Sequence, residues 1–230
     1  MSSGPAPGHG AVPSASVKSV NIGSLVPNSA KANMTGIGKR AVPGPVWVSA
    51  PGLTKGTSGL AGDSIGDTKH HGGNDQAVYA FAREDMDYWE GELDRSISDG
   101  WFGENLTTLG IDPNSALIGE RWQVGDELVL QVTCPRLPCK TFAQLMAVQG
   151  WARRFTERGR PGAYLKVVHP GPVRAGDAIT VVHRPSHGFD ITTTMWALTI
   201  KPQLLRGLLA AGDDLSAEMK ATVEESLGTA

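Results

Sequence analysis

Cysteine occurs only twice among 230 residues, and aromatic residues make up 6% of the chain. Two cysteines cannot build a disulfide scaffold, so in a reducing compartment they call for either thiol chemistry or plain packing. No apolar run approaches the roughly 18 residues of a membrane helix, and no basic segment followed by a hydrophobic one opens the chain. The expectation is a soluble, cytoplasmic protein with no membrane partner. Net charge is also small, −2, which argues against the basic face that nucleic acid selects. A structural zinc site is excluded as well: Cys134 and Cys139 stand five positions apart with no histidine pair nearby.

Glycine (29) and proline (15) are plentiful, and this turn-rich composition favours short strands over long helices. Residues 1–16 are almost entirely small residues, Gly and Pro, and are predicted to be a disordered tail. β-like runs follow at "VKSVNIG", "GPVWVSA" and "QAVYAFA", where Val78, Ala80 and Ala82 alternate with Ala77, Tyr79 and Phe81. "WQVGDELVLQV" and "GPVRAGDAITVV" each place a Gly-Asp turn before a Val/Ile/Leu-rich strand, predicting core strands of one sheet system. A helix is expected over 84–94, and another after Cys139, opened by Thr141 and Gln144 in capping-box relation and continuing to about residue 159. Residues 191–230 read as a small helical appendage whose last helix is capped by Ser216.

The chemistry centres on "TCPRLPC" (133–139). Cys139 follows Pro138 at the presumed start of a helix, and Arg136 and Lys140 stand beside it. That setting suits a thiolate, as nucleophile or metal ligand, against the bland alternative of a buried small hydrophobe. Charge is uneven along the chain: residues 84–127 hold twelve Asp/Glu against two Lys/Arg, and residues 131–184 hold nine Lys/Arg against two Asp/Glu. The second half could therefore hold a small anion. In "DTKHHGGNDQAV", Lys69, His70 and His71 precede a Gly72-Gly73 pair whose bare N–H groups could cradle an anion. Adjacent His70 and His71 point to opposite faces of an extended chain and cannot chelate together. His169, His183 and His187 are available as protease-like partners for Cys139, with nothing local to tie them to it. In "GWFGENLTTLGI", Asn105, Thr107 and Thr108 supply donors and acceptors. "GIGKR" (36–40) lacks phosphate-loop spacing and is set aside.

Taken in order, "KHHGGNDQAV", "FGENLTTLGI", "IGERWQVGDELVLQVTCPRLPC" and "VVHRPSHG" resemble the MOSC family, and in particular its small stand-alone bacterial members linked to resistance against N-hydroxylated purines. The resemblance implies a mainly β protein with α-helices: a MOSC-type β-barrel over residues 17–190 with flanking helices and a small helical extension over 191–230. It implies binding of molybdenum cofactor, with the cysteine of the "RxPC" element, Cys139, as either the thiolate ligand to molybdenum or the carrier of a persulfide sulfur. On the same basis Lys69, His70, His71, Gly72, Asn105, Thr107 and Arg136 become candidate cofactor-pocket residues. The implied activity is reduction of N-hydroxylated small molecules with electrons from a partner reductase, because the chain has no flavin, haem or iron–sulfur motif of its own. A non-catalytic carrier of cofactor or sulfur is the alternative. Monomer and homodimer both stay open. Cys134 departs from the family pattern and is read as strand packing.

Overall fold

The computed structural model describes residues 15–28 and 33–228. Twelve strands are formed among them: β1 (Ser16–Ile22), β2 (Val26–Pro27), β3 (Met34–Thr35), β4 (Arg40–Ala41), β5 (Val46–Val48), β6 (Val78–Ala82), β7 (Leu106–Leu109), β8 (Arg121–Val124), β9 (Leu128–Pro135), β10 (Ala163–His169), β11 (Gly171–Val173) and β12 (Ile179–His183). Eight of them build one sheet in the order β12-β8-β9-β10-β6-β7-β1-β4, and β11–β5 and β2–β3 form two small ribbons. Only β6 and β7 pair in parallel. The far strands of the sheet approach each other at the bridge Ser16–Ala178, with Val17 N–H donating to Asp177 O and Ile179 N–H donating to Ala15 O, both at 2.9 Å. This contact is a bridge and not a full ladder, so the architecture is a mixed α/β fold around a large curled sheet.

Both Gly-Asp segments supply sheet strands. In the first, Gly125 turns the chain at φ +61, a left-handed value that glycine adopts without a Cβ clash. That turn pairs Val124 with Leu128 and buries Trp122, Val124, Leu128 and Leu130. The second, expected to give a core strand as well, ends instead in β12, an end strand of the sheet that is exposed after Ile179 because no further strand or helix covers it. β1 begins at Ser16, the last residue assigned to the tail; residues 1–14 of that assignment lie outside the described residues.

β6 separates two cores, so all five of its residues are buried. Val78 and Ala80 face an aliphatic cluster shared with β1, β8 and β9. Tyr79 and Phe81 face an aromatic cluster with Phe102, Phe142, Trp151 and Phe155. The few aromatics of the chain are thus concentrated behind one region, where each fully buried ring contributes on the order of 2–3 kcal/mol of transfer free energy.

Helix α1 (Arg83–Leu93) follows the expected span. The single helix expected over 141–159 is instead two, α2 (Lys140–Met146) and α3 (Trp151–Arg158). The chain breaks between them at Ala147 and Gly150, at φ +51 and +68. At about 100° per residue, an unbroken helix would point Trp151 roughly 180° away from Phe142. The break lets both side chains enter the same cluster.

Beyond the sheet come α4 (Ile191–Thr199), α5 (Leu205–Leu208) and α6 (Ala217–Leu227). They have a small cluster of their own around Leu205, Leu208 and Val223. Ile191, Ala211 and Leu215 nevertheless belong to the main core, so the C-terminal helices share the core of the sheet. Ser216 caps α6 as expected, its Oγ accepting from Met219 N–H at 3.1 Å. Ser216→Ala is expected to cost about 1 kcal/mol, read as faster amide exchange over 217–227; unchanged exchange there would contradict the cap. No helix among the described residues is long and apolar enough to cross a membrane.

Candidate functional site

β9 ends at Pro135, and the next residues swing across the aromatic cluster to start α2. Cys139 is the N-cap, in place of the expected Thr141: its backbone is extended and its Sγ accepts from Phe142 N–H at 3.5 Å. The chain enters the helix two residues early, and Phe142 in its first turn packs into the aromatic cluster. Burial pushes the thiol pKa up, but hydrogen bonding from the His71 side chain, the Arg136 charge and the Phe142 N–H outweigh it and bring it down to about 6. Cys134, in β9 and opposite Tyr164, is a structural counterpart. Burial with little compensation pushes its thiol up to about 12. At neutral pH one thiol is ionised and the other is inert.

Alkylation by iodoacetamide is therefore expected to modify Cys139 alone, with a midpoint near pH 6. Arg136→Met is expected to move that midpoint upward; an unmoved midpoint would show that Arg136 does not stabilise the thiolate.

Arg136 is buried, with its guanidinium over the Phe142 ring at 3.9 Å and near the Tyr79 ring at 5.3 Å. Its Nη1 donates to Phe102 O, whereas Nε has no hydrogen-bond partner. Arg136 and Cys139 open onto an inner pocket of about 90 Å³, whose lining includes His71, Gly72, Asn105 and Tyr164. Lys39 and Asp63 close the far side as a buried ion pair. Asp63 is held further by Gly23 N–H at 2.7 Å, Ser58 Oγ at 2.6 Å and Asn105 Nδ2 at 2.9 Å. Burial lowers the Lys39 pKa, and Asp63 opposes that shift. Asn105 also accepts from Tyr79 N–H at 3.1 Å, tying β6 to the pocket floor.

Of the expected site residues, the fold brings together His71, Gly72, Asn105, Arg136 and Cys139. It does not bring in three others. Lys69 is exposed and lines neither the inner pocket nor the outer cleft on the other side of Cys139. His70 turns away from the inner pocket in a turn and not an extended strand, its Nδ1 3.1 Å from the Asp67 carboxylate, and lines the outer cleft. Thr107 lies behind the wall, because β1 crosses it: its hydroxyl accepts from Asn21 Nδ2 at 3.0 Å and donates to Glu104 Oε1 at 2.8 Å. Burial raises the Glu104 carboxyl to about 7. The Gly-Gly pair is also not an open anion cradle. Gly72 N–H donates to Gln76 Oε1 at 3.2 Å and Gly73 N–H to Thr57 O at 3.0 Å. Glycine is required at 72 because a Cβ there would meet Thr57 O at 2.5 Å.

Sequence reasoning missed Lys39, inside the "GIGKR" segment set aside, together with Asp63 and Tyr164. It also missed His71 as the thiol's imidazole partner. His187 instead contacts Ile118 O at 2.8 Å, and His169 contacts Glu127 O at 3.0 Å.

A second, outer cleft of about 470 Å³ lies on the other side of Cys139, between the 134–138 segment and α6. Asp67, His71, Gln76, Cys139 and Tyr164 line both spaces. The thiol therefore stands on the rim they share.

Residues 67–180 match the family model described as the MOSC domain. YflK of Bacillus subtilis is 34% identical over 130 residues, covering 56% of this chain and 58% of YflK. A protein called "Reductase" from Gibberella moniliformis is 29% identical over 145 residues, covering 62% of this chain and 24% of that protein. The chain thus spans less than two thirds of the length of these relatives. The crystal structure of YiiM from Geobacillus stearothermophilus superposes with a TM-score of 0.74 at 24% identity, covering 93% of this chain and 99% of that one, which shows a shared fold. By its matched domain, with Cys139 of "RxPC" inside the matched span, the chain belongs to the MOSC domain family.

Proposed function

We propose that the inner pocket, whose volume of about 90 Å³ suits a metal and its anionic ligands but not a whole pterin, receives the metal end of a molybdenum cofactor, and that the protein reduces N-hydroxylated bases or related compounds with electrons from a partner reductase. The observation that carries this reading is the Cys139 thiolate, set between His71 and Arg136 on the rim of a pocket that also contains Lys39.

The donor set fits such a group. No cluster of three or more His, Cys, Asp or Glu side chains among the described residues could hold a metal ion. A metal bound here must arrive with most of its own ligands, and a soft thiolate suits a metal–sulfur centre. The unpartnered Nε of buried Arg136 is a donor whose isolation costs about 1–3 kcal/mol, and an anionic ligand would satisfy it. Cys139 would hold the metal, and Arg136 with Lys39 would face the anionic part. When bound, the cofactor supplies a two-electron redox centre.

The chain's own residues do the rest. His71 hydrogen-bonds the Cys139 sulfur, and the aromatic cluster behind Phe142 keeps water from that side. Reduction of an N-hydroxyl compound breaks the N–O bond, consumes two electrons and two protons, and releases the amine and water. The name of the Gibberella relative, a reductase, supports a redox reading. The test is elemental analysis of protein made in a host that synthesises the cofactor, together with reduction of an N-hydroxylated purine by that protein and a reductase fraction. Stoichiometric molybdenum and N–O reduction are expected. Absence of molybdenum, with a mass increment of roughly 32 Da on Cys139 from one added sulfur, would replace this reading with that of a sulfur carrier.

A further inference from the structure

We infer that the outer cleft walled by α6 is the substrate chamber, and that it admits neutral or cationic aromatic compounds and turns away anionic ones. This rests on the reading of the inner pocket as the cofactor site. The cleft, about 470 Å³, is within the range of about 300–1,000 Å³ usual for small-molecule sites. A molecule occupying it would lie against Cys139, because that residue lines both spaces. Its apolar walls come from opposite sides: Leu137 and Pro138 from the cysteine segment, and Leu198 and Met219 from the C-terminal helices.

Charge separates the two spaces. In the inner pocket Lys39 and Asp63 offset each other as an ion pair, which leaves the Arg136 guanidinium, with Asp67 on the rim shared by both spaces. The outer cleft contains Asp67, Asp75 and Glu218, with no lysine or arginine among its lining residues. Lys55 reaches Glu218 from outside the cleft at 2.8 Å and Glu218 is 65% exposed, so its field is partly offset and screened by solvent and Asp67 and Asp75 carry most of the negative charge facing the cleft. His70 meets Asp67 at the exposed rim. The outer side therefore favours a cation or hydrogen-bond donor, whereas the inner side presents the Arg136 guanidinium. An anion confined near these carboxylates is expected to bind roughly tenfold or more weakly than its cationic isostere. Helix α6 lies outside residues 67–180, so the wall that shapes selectivity comes from beyond the matched domain.

The test is calorimetric titration of the purified holoprotein with benzylamine and with phenylacetate, a cation and an anion on similar rings. Molybdenum content and far-UV circular dichroism are measured on every sample. Benzylamine is expected to bind, and phenylacetate to bind at least about tenfold more weakly. Thr222→Trp fills the cleft from the exposed side of α6; it should abolish benzylamine binding and leave molybdenum content unchanged. Should that variant loosen α6, Glu218→Lys decides, with an expected shift of preference toward phenylacetate. In turnover, an N-hydroxylated purine base should be preferred to its 5′-monophosphate. Equal binding of the two probes, benzylamine binding retained in a folded Thr222→Trp protein, or no change of preference in Glu218→Lys would overturn the inference. So would loss of molybdenum in Thr222→Trp, which would give the cleft to the cofactor. Wild-type protein without molybdenum would sink the cofactor reading alone, because probe binding is measured separately from turnover.

Discussion

Cys139→Ser is expected to fold normally and to lose molybdenum and N–O reduction together. A serine hydroxyl can take over the cap of α2 by accepting from Phe142 N–H, the role that Sγ now fills at 3.5 Å, and serine is among the favoured N-cap residues. The cap is therefore kept, and the stability lost near neutral pH is that of the ionised thiol alone. What serine cannot supply is an ionised soft ligand. Changes to groups that only support a metal ligand cost about 10–100-fold in affinity or activity, so removal of the ligand itself should reach at least the top of that range. Metal analysis and turnover on one preparation check this, and full molybdenum retention in the variant would remove Cys139 from the site.

The same variant should flatten part of the pH–stability curve. The folded thiol titrates at about 6, below its ordinary value of 9.0. A group with a depressed folded pKa contributes its full stabilisation above the unfolded pKa and loses it as pH falls through the folded one. Wild type should thus lose this contribution between about pH 9 and pH 6, and Cys139→Ser should show no such loss.

Phe102→Ala is expected to produce the largest loss of stability, about 3–5 kcal/mol, the usual range for emptying a buried aromatic position. The ring is fully buried and meets Phe81, Phe142 and Trp151 at centroid distances of 5.0, 5.2 and 5.9 Å. These contacts join the sheet to both helices that follow Cys139. Urea denaturation should show the loss as a lower midpoint. Leu53→Ala, at a 90% exposed position, should stay within about 0.5 kcal/mol. Equal effects from the two substitutions would mean that the aromatic cluster does not hold the site in place.

Much of the fold was legible because sheet periodicity is local. The alternation through 77–82 marked β6, and the Gly-Asp turns marked β8, β9 and β12, since turn chemistry and side-chain period are properties of neighbours in sequence. The same alternation left open which face was core, and the answer was both, because a second cluster from residues 142–155 covers the far side. The 141–159 segment misled because its apolar spacing was read against one straight axis. Its break at Ala147 and Gly150 follows from having to deliver Phe142 and Trp151 to the same place.

The sequence by itself singled out Cys139 as the candidate thiolate and Cys134 as a strand residue, because the difference lies in their immediate neighbours: Pro138 and the helix start for one, the β9 run for the other. Only the tertiary structure decided what surrounds that sulfur. His71 stands 68 positions before Cys139, and Lys39 stands 100 before it. Thr107 is turned away by β1, and α6 supplies one wall of the outer cleft. The field at a thiol falls with distance through space and not along the chain. Its ionisation, its partners and the charge contrast between the two spaces beside it therefore took shape only when the sheet brought these segments together.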